Sequence, residues 1–375
     1  MKKIVYLTGT RADYGKLKSL IRISQECNDF DVHIFATGMH MNSKYGKTVD
    51  EIVKSGFKNV YMYINHDEID HMDRILAKTI EGFSDYIAQI KPDMIIVHGD
   101  RVEALAGAIV GSLNNLLVTH IEGGEISGTI DELIRHAVSK LSHIHLVSNK
   151  DAQKRLLQLG EVENSIYIIG SPDFDIMKSR NLPQIDGVKK YYNLDAEDYS
   201  ILMHHPVTTE YSQVRSHIKN VVDAVIESGK NYVVIYPNND LGSSEILEEY
   251  AKFKDYKRIK IFPSIRFEYF LVLLKNAQFI IGNSSAGIRE APFYSVPTID
   301  IGSRQKNRGH FKSVIHTDYS KEKILEGIKI AENLHVDNQL VKNYFGEGNS
   351  DKLFLELICD DAIWNTPQQK QFREI

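Results

Sequence analysis

Cysteine, excess basic charge and long apolar runs are scarce in this sequence, and each shortage excludes a class of protein. Only Cys27 and Cys359 occur among the 375 residues, which excludes a disulfide framework or a cysteine-rich zinc site and favours a reducing compartment. The formal net charge is −5, whereas a nucleic-acid-binding surface needs a clear excess of lysine and arginine. We therefore expect no nucleic-acid partner.

An apolar run at residues 4–7 follows Lys2 and Lys3, in the order that a signal peptide would have. Gly9 and Arg11 end this run after too few residues for a signal peptide. No later run approaches the ~20 apolar residues of a membrane-spanning helix. The sequence therefore predicts a cytoplasmic protein with no membrane partner.

The chain length and a change in composition predict two domains. At roughly 150 residues per domain, the chain is long enough for two separate cores. A polar, proline-containing passage from Gly170 to about Asp195 is the best candidate linker. We place the first domain at residues 1–172 and the second at residues 173–375. The apolar pattern of residues 352–364 predicts a last helix, which either caps the second domain or packs back towards the first.

Short apolar runs alternate with helical patterns in both halves of the chain. The predicted strands are residues 4–7, 32–36, 94–97, 116–119, 146–147 and 166–169 in the first half, and 201–203, 232–235, 259–262, 279–281 and 298–301 in the second. This alternation is typical of parallel, doubly wound sheets whose polar loops share one rim. The fold class that we expect is α/β, with two facing Rossmann-like domains of glycosyltransferase-B-like architecture and the ligand in the cleft between them.

The stretch from Phe279 to Asp300 predicts an anion site. Its strand runs into Gly282-Asn283-Ser284-Ser285, where glycine permits a turn and serine caps a helix whose free N–H groups attract phosphate. Glu290 would lie about one and a half turns into that helix and would reach past a diphosphate towards ribose hydroxyls. An ordinary serine-capped helix is the alternative that this stretch leaves open.

The first predicted strand is followed by the loop GTRADYGK, residues 9–16. The loop does not satisfy the P-loop pattern, because five residues separate its glycines and Leu17 occupies the position of the magnesium-binding serine or threonine. The guanidinium of Arg11 is a fixed fork suited to a diphosphate, so Arg11 is a stronger candidate than Lys16. A solvated loop arginine is the alternative.

Three carboxylates lie at predicted strand ends or just beyond them, at Asp100, Glu122 and Asp131. A single carboxylate at a helix start is commonly a cap, but a cluster is costly without a chemical task, so we interpret the three as catalytic. His205 precedes Pro206, which holds it extended at a strand end. It is a further active-site candidate, and a packing histidine is the alternative.

Motifs for metals and redox cofactors are missing from the sequence. Residues 120–122 have the H-x-E order of zinc deaminases, but no P-C-x-x-C follows, and H-E-x-x-H does not occur. The G-x-G-x-x-G loop that nicotinamide cofactors usually need is also missing. We therefore predict no metal and no cofactor.

In chain order, the loop motifs resemble those of one enzyme family. They span Lys3 to about Tyr319 and read GTRADYGK, TGMH, HGDR, IEGGE, SGTIDELIRH, SPD, HHPVTT, YPNND, FPS, GNSSAGIRE and GSRQ. This set resembles the hydrolysing UDP-N-acetylglucosamine 2-epimerases, and most of all their sialic-acid-pathway branch. From about Lys321 onward the sequence is merely compatible with that family.

The resemblance implies roles for ten residues. It makes four of them catalytic and six of them contacts of UDP: Asp100, Glu122, Asp131 and His205, and Arg11, Asn238, Ser284, Ser285, Glu290 and Arg304. It also implies UDP-N-acetylglucosamine as substrate, UDP and N-acetylmannosamine as products, no metal or nicotinamide, and a homodimer or larger homo-oligomer. A related branch with near-identical motifs acts on UDP-2,4-diacetamido-trideoxy sugars or a GDP analogue, so the sugar stays open.

Two other functions are alternatives at this point. A glycosyltransferase of the same architecture would need only one base and would leave the carboxylate cluster over-supplied. A regulator that binds a nucleotide sugar without catalysis would gain nothing from three carboxylates near a dianionic ligand. The sequence therefore favours elimination of UDP with inversion at C2 of the sugar.

Overall fold

The structure, a computed structural model, describes residues 1–66, 71–179, 181–306, 308, 311–334 and 344–371. The chain divides into two compact units. Unit 1 comprises Met1–Glu125, Asp131–Ser179 and Asn343–Ile375, and unit 2 comprises Ile126–Ile130 and Arg180–Lys342.

Each unit is built on one parallel sheet. The strands of unit 1 are β1 (Lys2–Thr8), β2 (Phe30–Ala36), β3 (Val60–Met62), β4 (Met94–His98), β5 (Leu117–Ile121), β6 (Ile144–Val147) and β7 (Ile166–Ile168), in the order β3-β2-β1-β4-β5-β6-β7. Those of unit 2 are β8 (Ser200–Met203), β9 (Tyr232–Ile235), β10 (Ile259–Phe262), β11 (Ile280–Gly282), β12 (Thr298–Ile301) and β13 (Val314–Thr317), in the order β10-β9-β8-β11-β12-β13. Neighbouring strands run parallel in both sheets. The prediction of two Rossmann-like α/β units is therefore confirmed.

Helices connect the strands and follow the last one. They are α1 (Arg11–Glu26), α2 (Val49–Lys54), α3 (Met72–Ile90), α4 (Val102–Leu113), α5 (Ile130–Leu141), α6 (Lys150–Gln158), α7 (Asp173–Met177), α8 (Ile185–Tyr192), α9 (Val214–Glu227), α10 (Ser243–Tyr250), α11 (Phe267–Lys275), α12 (Glu290–Phe293), α13 (Lys321–Asn333), α14 (Ser350–Cys359) and α15 (Asp361–Trp364). In the part of the chain that the structure describes, no helix combines the length and the apolar character needed to cross a bilayer.

The strand predictions are accurate in the interior of each sheet and incomplete at its edges. The inner strands β4 and β5 are buried along their whole length, so their sequences are the continuous apolar runs that were recognised. The edge strands β3 and β13 were missed. Their residues are at most partly buried, and three- and four-residue segments of that kind carry no clear apolar signal.

The two units differ in extent from the predicted domains 1–172 and 173–375. The proposed linker contains α7 and α8, and α7 belongs to unit 1. Asp175 of α7 accepts a hydrogen bond from Ser19 Oγ at 3.0 Å and from the backbone N–H groups of Ser350 and Asp351 at 2.8 and 3.0 Å. The last helices also belong to unit 1, because Phe354 and Ile358 lie in the apolar core that contains α1.

The order of strands reverses once in each sheet. In unit 1 the reversal lies between β1 and β4, and in unit 2 it lies between β8 and β11. Ligands of open parallel sheets bind beyond the carboxyl ends of the strands at such a reversal. We therefore expect the functional residues of each unit in the loops that follow these four strands.

Candidate active site

The loop after β1 is held rigidly by one aspartate. Asp13 accepts hydrogen bonds from the backbone N–H groups of Gly9 and Thr10, both at 2.9 Å, and from Thr8 Oγ1 at 2.9 Å. Thr10 and Asp13 together form a capping box at the start of α1. The first residue of α1 is Arg11, and the structure places its guanidinium in an ion pair with Glu51 of α2 at 2.5 Å.

Glu122 lies immediately after β5 and is the most enclosed of the three candidate carboxylates. Its side chain is 7% exposed, and Lys16 Nζ is 3.2 and 3.1 Å from its two oxygens. Ser171 donates a hydrogen bond of 2.6 Å to Oε1, and His98 Nε2 is 3.3 Å from Oε2. The same ammonium of Lys16 lies 3.8 Å from the buried carboxylate of Asp173. Residues from three separate parts of the chain therefore orient one carboxylate.

The backbone of Glu122 is left-handed, with φ 64°. For a residue other than glycine this conformation costs on the order of 1–3 kcal/mol and persists only where the surroundings impose it. Here the backbone N–H of Glu122 donates to Leu146 O at 3.0 Å, and the side chain is fixed by Lys16 and Ser171. Strain of this kind is concentrated at functional sites, which adds to the case for a chemical role.

Sequence reasoning missed the partners of Glu122. The sequence favours Arg11 over Lys16 because the loop around Lys16 does not satisfy the P-loop pattern. In the structure, however, Lys16 is the residue that contacts a candidate carboxylate, Glu122. Ser171 and Asp173 lie in the SPD motif, and His98 lies in the HGDR motif. These motifs were recognised as part of a set, but nothing in their spacing indicated which carboxylate they surround.

Helix α5 links the other two candidate carboxylates. Asp131 lies in its first turn, and Arg135 follows one turn later on the same face. The side chain of Arg135 is 1% exposed and forms an ion pair with Asp100, the residue after Gly99 at the end of β4. Its other terminal nitrogen donates to Glu125 O at 3.1 Å. One helix therefore carries Asp131 and the partner of Asp100.

In unit 2, His205 and Asn283 meet where the strand order reverses. The amide of Asn283 accepts from the backbone N–H of His205 at 2.7 Å and donates to its carbonyl oxygen at 2.8 Å. The backbone N–H of Asn238 donates to His205 Nδ1 at 3.0 Å. In the neutral ring the proton is therefore on Nε2, which leaves Nε2 as a hydrogen-bond donor.

Two consecutive histidines follow β8, and their surroundings distinguish them. His204 is buried, and burial together with the nearby charge of Arg304 lowers its pKa to about 3. His204 therefore remains neutral and packs edge-on against Tyr319. His205 is only partly buried, and its active-site role stays a prediction.

The segment after β11 corrects one prediction. Instead of a regular helix, Ser284 caps a single 3₁₀ turn, Ser285–Gly287, and Glu290 begins the four-residue helix α12. Glu290 is therefore not one and a half turns along a continuous helix, and its side chain is buried. Pro292 favours the interruption, because proline is tolerated in the first turn of a new helix but would break the interior of a continuous one.

Asn283, which was not among the candidates, connects this turn to Arg304. Its carbonyl oxygen accepts from Arg304 Nη1 at 3.3 Å and from Gln305 Nε2 at 2.9 Å. The preceding Gly282 has φ 132°, and a Cβ there would lie 2.0 Å from Met203 O. The structure therefore brings His205, Ser284 and Arg304 together around one buried asparagine. The GNSS motif contains that asparagine and was the available signal.

The family model described as UDP-N-acetylglucosamine 2-epimerase matches residues 22–359. The chain belongs to this family. A UDP-N-acetylglucosamine 2-epimerase of Neisseria meningitidis serogroup B is 48% identical over 378 residues, covering 100% of each chain. A protein of Legionella pneumophila named UDP-N,N'-diacetylbacillosamine 2-epimerase (hydrolyzing) is 32% identical and covers 96% of each chain.

A solved structure shares the fold of this UDP-N-acetylglucosamine 2-epimerase family member. It is the Methanocaldococcus jannaschii UDP-GlcNAc 2-epimerase in complex with UDP-GlcNAc and UDP, with a TM-score of 0.80, 25% identity, and coverage of 96% of this chain and 99% of the other. The predicted glycosyltransferase-B-like fold class is thereby confirmed. Arg11 and Lys16 precede the residues matched by the family model, but the Neisseria relative aligns over the whole chain.

Over the described ranges, no group of three or more histidine, cysteine, aspartate or glutamate side chains is arranged to hold a metal ion. Metal independence stays a prediction, and chelation is the direct test of it.

Proposed function

We propose that the protein is a hydrolysing UDP-N-acetylglucosamine 2-epimerase, which converts UDP-N-acetylglucosamine and water to N-acetylmannosamine and UDP for sialic-acid synthesis. The family match and the Neisseria relative support the substrate, and the name of the Legionella relative supports hydrolysis. The observation that carries the proposal is the buried Glu122 carboxylate, held by Lys16 and Ser171 beside the strand that leads to Asp100.

The proposed reaction has two steps. In the first, a carboxylate takes the proton from C2 and the C1–O bond breaks, so that UDP leaves with the bonding electrons and a 2-acetamidoglucal forms. In the second, water adds to C1 while a proton is delivered to C2 on the opposite face. Proton transfer on two faces of the ring needs more than one carboxylate, and we assign it to Asp100, Glu122 and Asp131.

The departure of UDP needs positive charge and hydrogen-bond donors near the diphosphate. We assign this role to Arg304 and Arg11, to the turn at Ser284 and Ser285, and to Nε2 of His205. Asn238 and the carboxylate of Glu290 are assigned to the nucleoside, the latter to the ribose hydroxyls. These assignments are proposals that binding measurements on single variants can test.

Turnover in deuterated buffer tests the function. With UDP-N-acetylglucosamine as substrate, we expect stoichiometric UDP and free sugar of the manno configuration with deuterium at C2, measured by proton NMR. Transfer of the sugar to water or an acceptor by a glycosyltransferase never breaks the C2–H bond. A manno product with a fully retained C2 proton would therefore rule out the proposed elimination. A chelator should leave the rate unchanged.

The Legionella relative supports one alternative, the same chemistry on UDP-N,N'-diacetylbacillosamine. The ratio of kcat/KM for the two nucleotide sugars decides between them. We expect UDP-N-acetylglucosamine to be preferred, because the Neisseria relative named for that sugar is 48% identical and the Legionella protein is 32% identical. We also propose that the enzyme acts in the cytoplasm as a homodimer or larger homo-oligomer, which sedimentation of the purified protein would show.

A further inference from the structure

The C-terminal tail of unit 1 places a lysine against the end of α5. Lys370 Nζ lies 3.2, 3.0 and 2.7 Å from the carbonyl oxygens of Ser139, Lys140 and Ser142. Ser139 and Lys140 are in the last turn of the helix, and Ser142 follows it. Carbonyl groups at a helix C-terminus have no partner within the helix, and the helix dipole makes them favourable for a cation. The ammonium of Lys370 therefore caps α5.

A buried glutamate anchors this ammonium. Glu161 is 1% exposed in its side chain, and its Oε2 lies 2.6 Å from Lys370 Nζ and 3.0 Å from His145 Nε2. Its Oε1 lies 2.9 Å from Lys140 Nζ. Burial alone would raise the pKa of Glu161, but the hydrogen bonds and charges of these neighbours outweigh burial and lower the pKa to about 2. The carboxylate is therefore ionised at neutral pH and attracts Lys370.

A second contact fixes the tail two residues earlier. The backbone N–H of Val118 donates to His143 Nδ1 at 3.1 Å, so the neutral ring carries its proton on Nε2. That nitrogen lies 2.9 Å from Gln368 O and donates to it. Burial lowers the pKa of His143, which favours this neutral form. The tail is thus attached to unit 1 through both its backbone and the Lys370 side chain.

The capped helix leads to the candidate carboxylates. Its first turn contains Asp131, and Arg135 in its middle pairs with Asp100. A helix is stiff along its axis, so a shift at the C-terminal end moves both residues. Displacements of about 1 Å at catalytic groups can cost ~100-fold in rate.

The same end of α5 is also joined to the Asp100 loop through a buried histidine. Ser139 Oγ lies 3.1 Å from His120 Nδ1, and His120 Nε2 lies 2.8 Å from Gly99 O. Because a carbonyl oxygen only accepts, Nε2 donates to Gly99 and Nδ1 accepts from Ser139. Burial lowers the pKa of His120 to about 3, so this neutral ring persists at any working pH. Ser139 thus connects the contact with Lys370 to the residue before Asp100.

We propose that Lys370 is a positioning residue for the reaction inferred above. It touches neither substrate nor a reacting atom. It acts by capping α5 and tying the helix to Glu161, which sets the positions of Asp131 and Arg135. The kinetic part of the test rests on the proposed function, whereas the exchange measurement described below does not.

The first test is kinetic and uses three full-length variants. Lys370→Met should lower kcat by about 10–100-fold while KM and the affinity for UDP change by no more than about twofold. Lys370→Arg keeps a cation with several donors and should recover most of the lost kcat. The matched control is Lys140→Met. This variant also removes a cation from Glu161, but the lost ammonium donates to Leu159 O and not to the carbonyl groups at the end of α5. This control should keep a near-native kcat.

The second test is hydrogen–deuterium exchange of the α5 amides, which needs no turnover. Lys370→Met should increase exchange over residues 134–141, and Lys140→Met should not. Native kcat or native exchange in Lys370→Met would overturn the proposal, as would an equal loss in the control. If the unaltered protein shows no turnover of UDP-N-acetylglucosamine, the proposed function fails, and exchange alone then decides whether Lys370 anchors the helix.

Discussion

Removing the charges of Lys16 and Glu122, singly and together, tests the buried ion pair on which the candidate site is built. The two side chains are 11% and 7% exposed, with 3.1 Å between Nζ and Oε2. Loss of one partner from a buried pair typically costs about 3–5 kcal/mol, because the other charge stays buried. Glu122→Gln leaves the ammonium of Lys16 3.8 Å from Asp173, so we expect the free energy of unfolding to fall by about 3 kcal/mol. Lys16→Met removes the cation from two carboxylates, so we expect the free energy of unfolding to fall by about 5 kcal/mol.

The double variant should cost much less than the sum of the two single variants. In the double variant both charges are removed, so neither Lys16 nor Glu122 remains as a buried charge that has lost its partner in the pair. We therefore expect a coupling energy of about 2–3 kcal/mol, at the upper end for residues in direct contact.

The chain contains a suitable probe for this measurement. Its single tryptophan, Trp364, lies in unit 1, where it stacks on Phe30 and donates to Ile358 O at 2.9 Å. Tryptophan fluorescence during urea denaturation therefore reports the unfolding of unit 1. Lys154→Met is the control, because Lys154 is 74% exposed and lies 3.9 Å from Asp151, and its replacement should change the unfolding free energy by less than about 0.5 kcal/mol. Single effects that add to within about 0.5 kcal/mol, or a larger cost for Glu122→Gln than for Lys16→Met, would refute the reasoning.

Three further predictions concern activity, binding and pH. Asp100→Asn, Asp131→Asn and Glu122→Gln should each lower kcat by about 10²–10⁴ with UDP affinity retained, and near-native steady-state turnover would remove that residue from the mechanism. Glu290→Ala should weaken UDP about 10–100-fold in calorimetry, since hydrogen bonds to a charged group contribute about 1.5–3 kcal/mol, and unchanged affinity would contradict the ribose assignment. Burial raises the pKa of Glu161, but hydrogen bonds and charges from its basic neighbours outweigh burial and lower the pKa from 4.5 to about 2. The stabilisation that the Glu161 carboxylate contributes is therefore complete above pH 4.5 and is lost as the pH falls through about 2. The difference in unfolding free energy between the unaltered protein and Glu161→Gln should therefore shrink by about 2 kcal/mol between pH 6 and pH 3, and a constant difference would show that Glu161 is not held as described.

Local sequence patterns were sufficient for the strands of the sheet interiors and for the polar groups at their ends. Among the inner strands, those at residues 232–235 and 298–301 have the predicted bounds. Such strands need apolar residues along most of their length, and this requirement is visible in any short window of sequence. Polar residues directly after such runs, including Asp100 and His205, were therefore predictable at the carboxyl ends of the sheets.

The partners of these groups were decided only by the tertiary structure. Lys16 and Glu122 are 106 residues apart, and Lys370 reaches carbonyl groups of α5 that are about 230 residues away in the chain. The return of residues 343–375 to unit 1, and the replacement of a helix by a 3₁₀ turn after Ser284, also left no local signal. The physical reason is that a sequence pattern shows how strongly a side chain prefers burial or a given backbone conformation. Which distant ammonium, hydroxyl or carboxylate it meets depends on how the strands are ordered and how the chain returns across them.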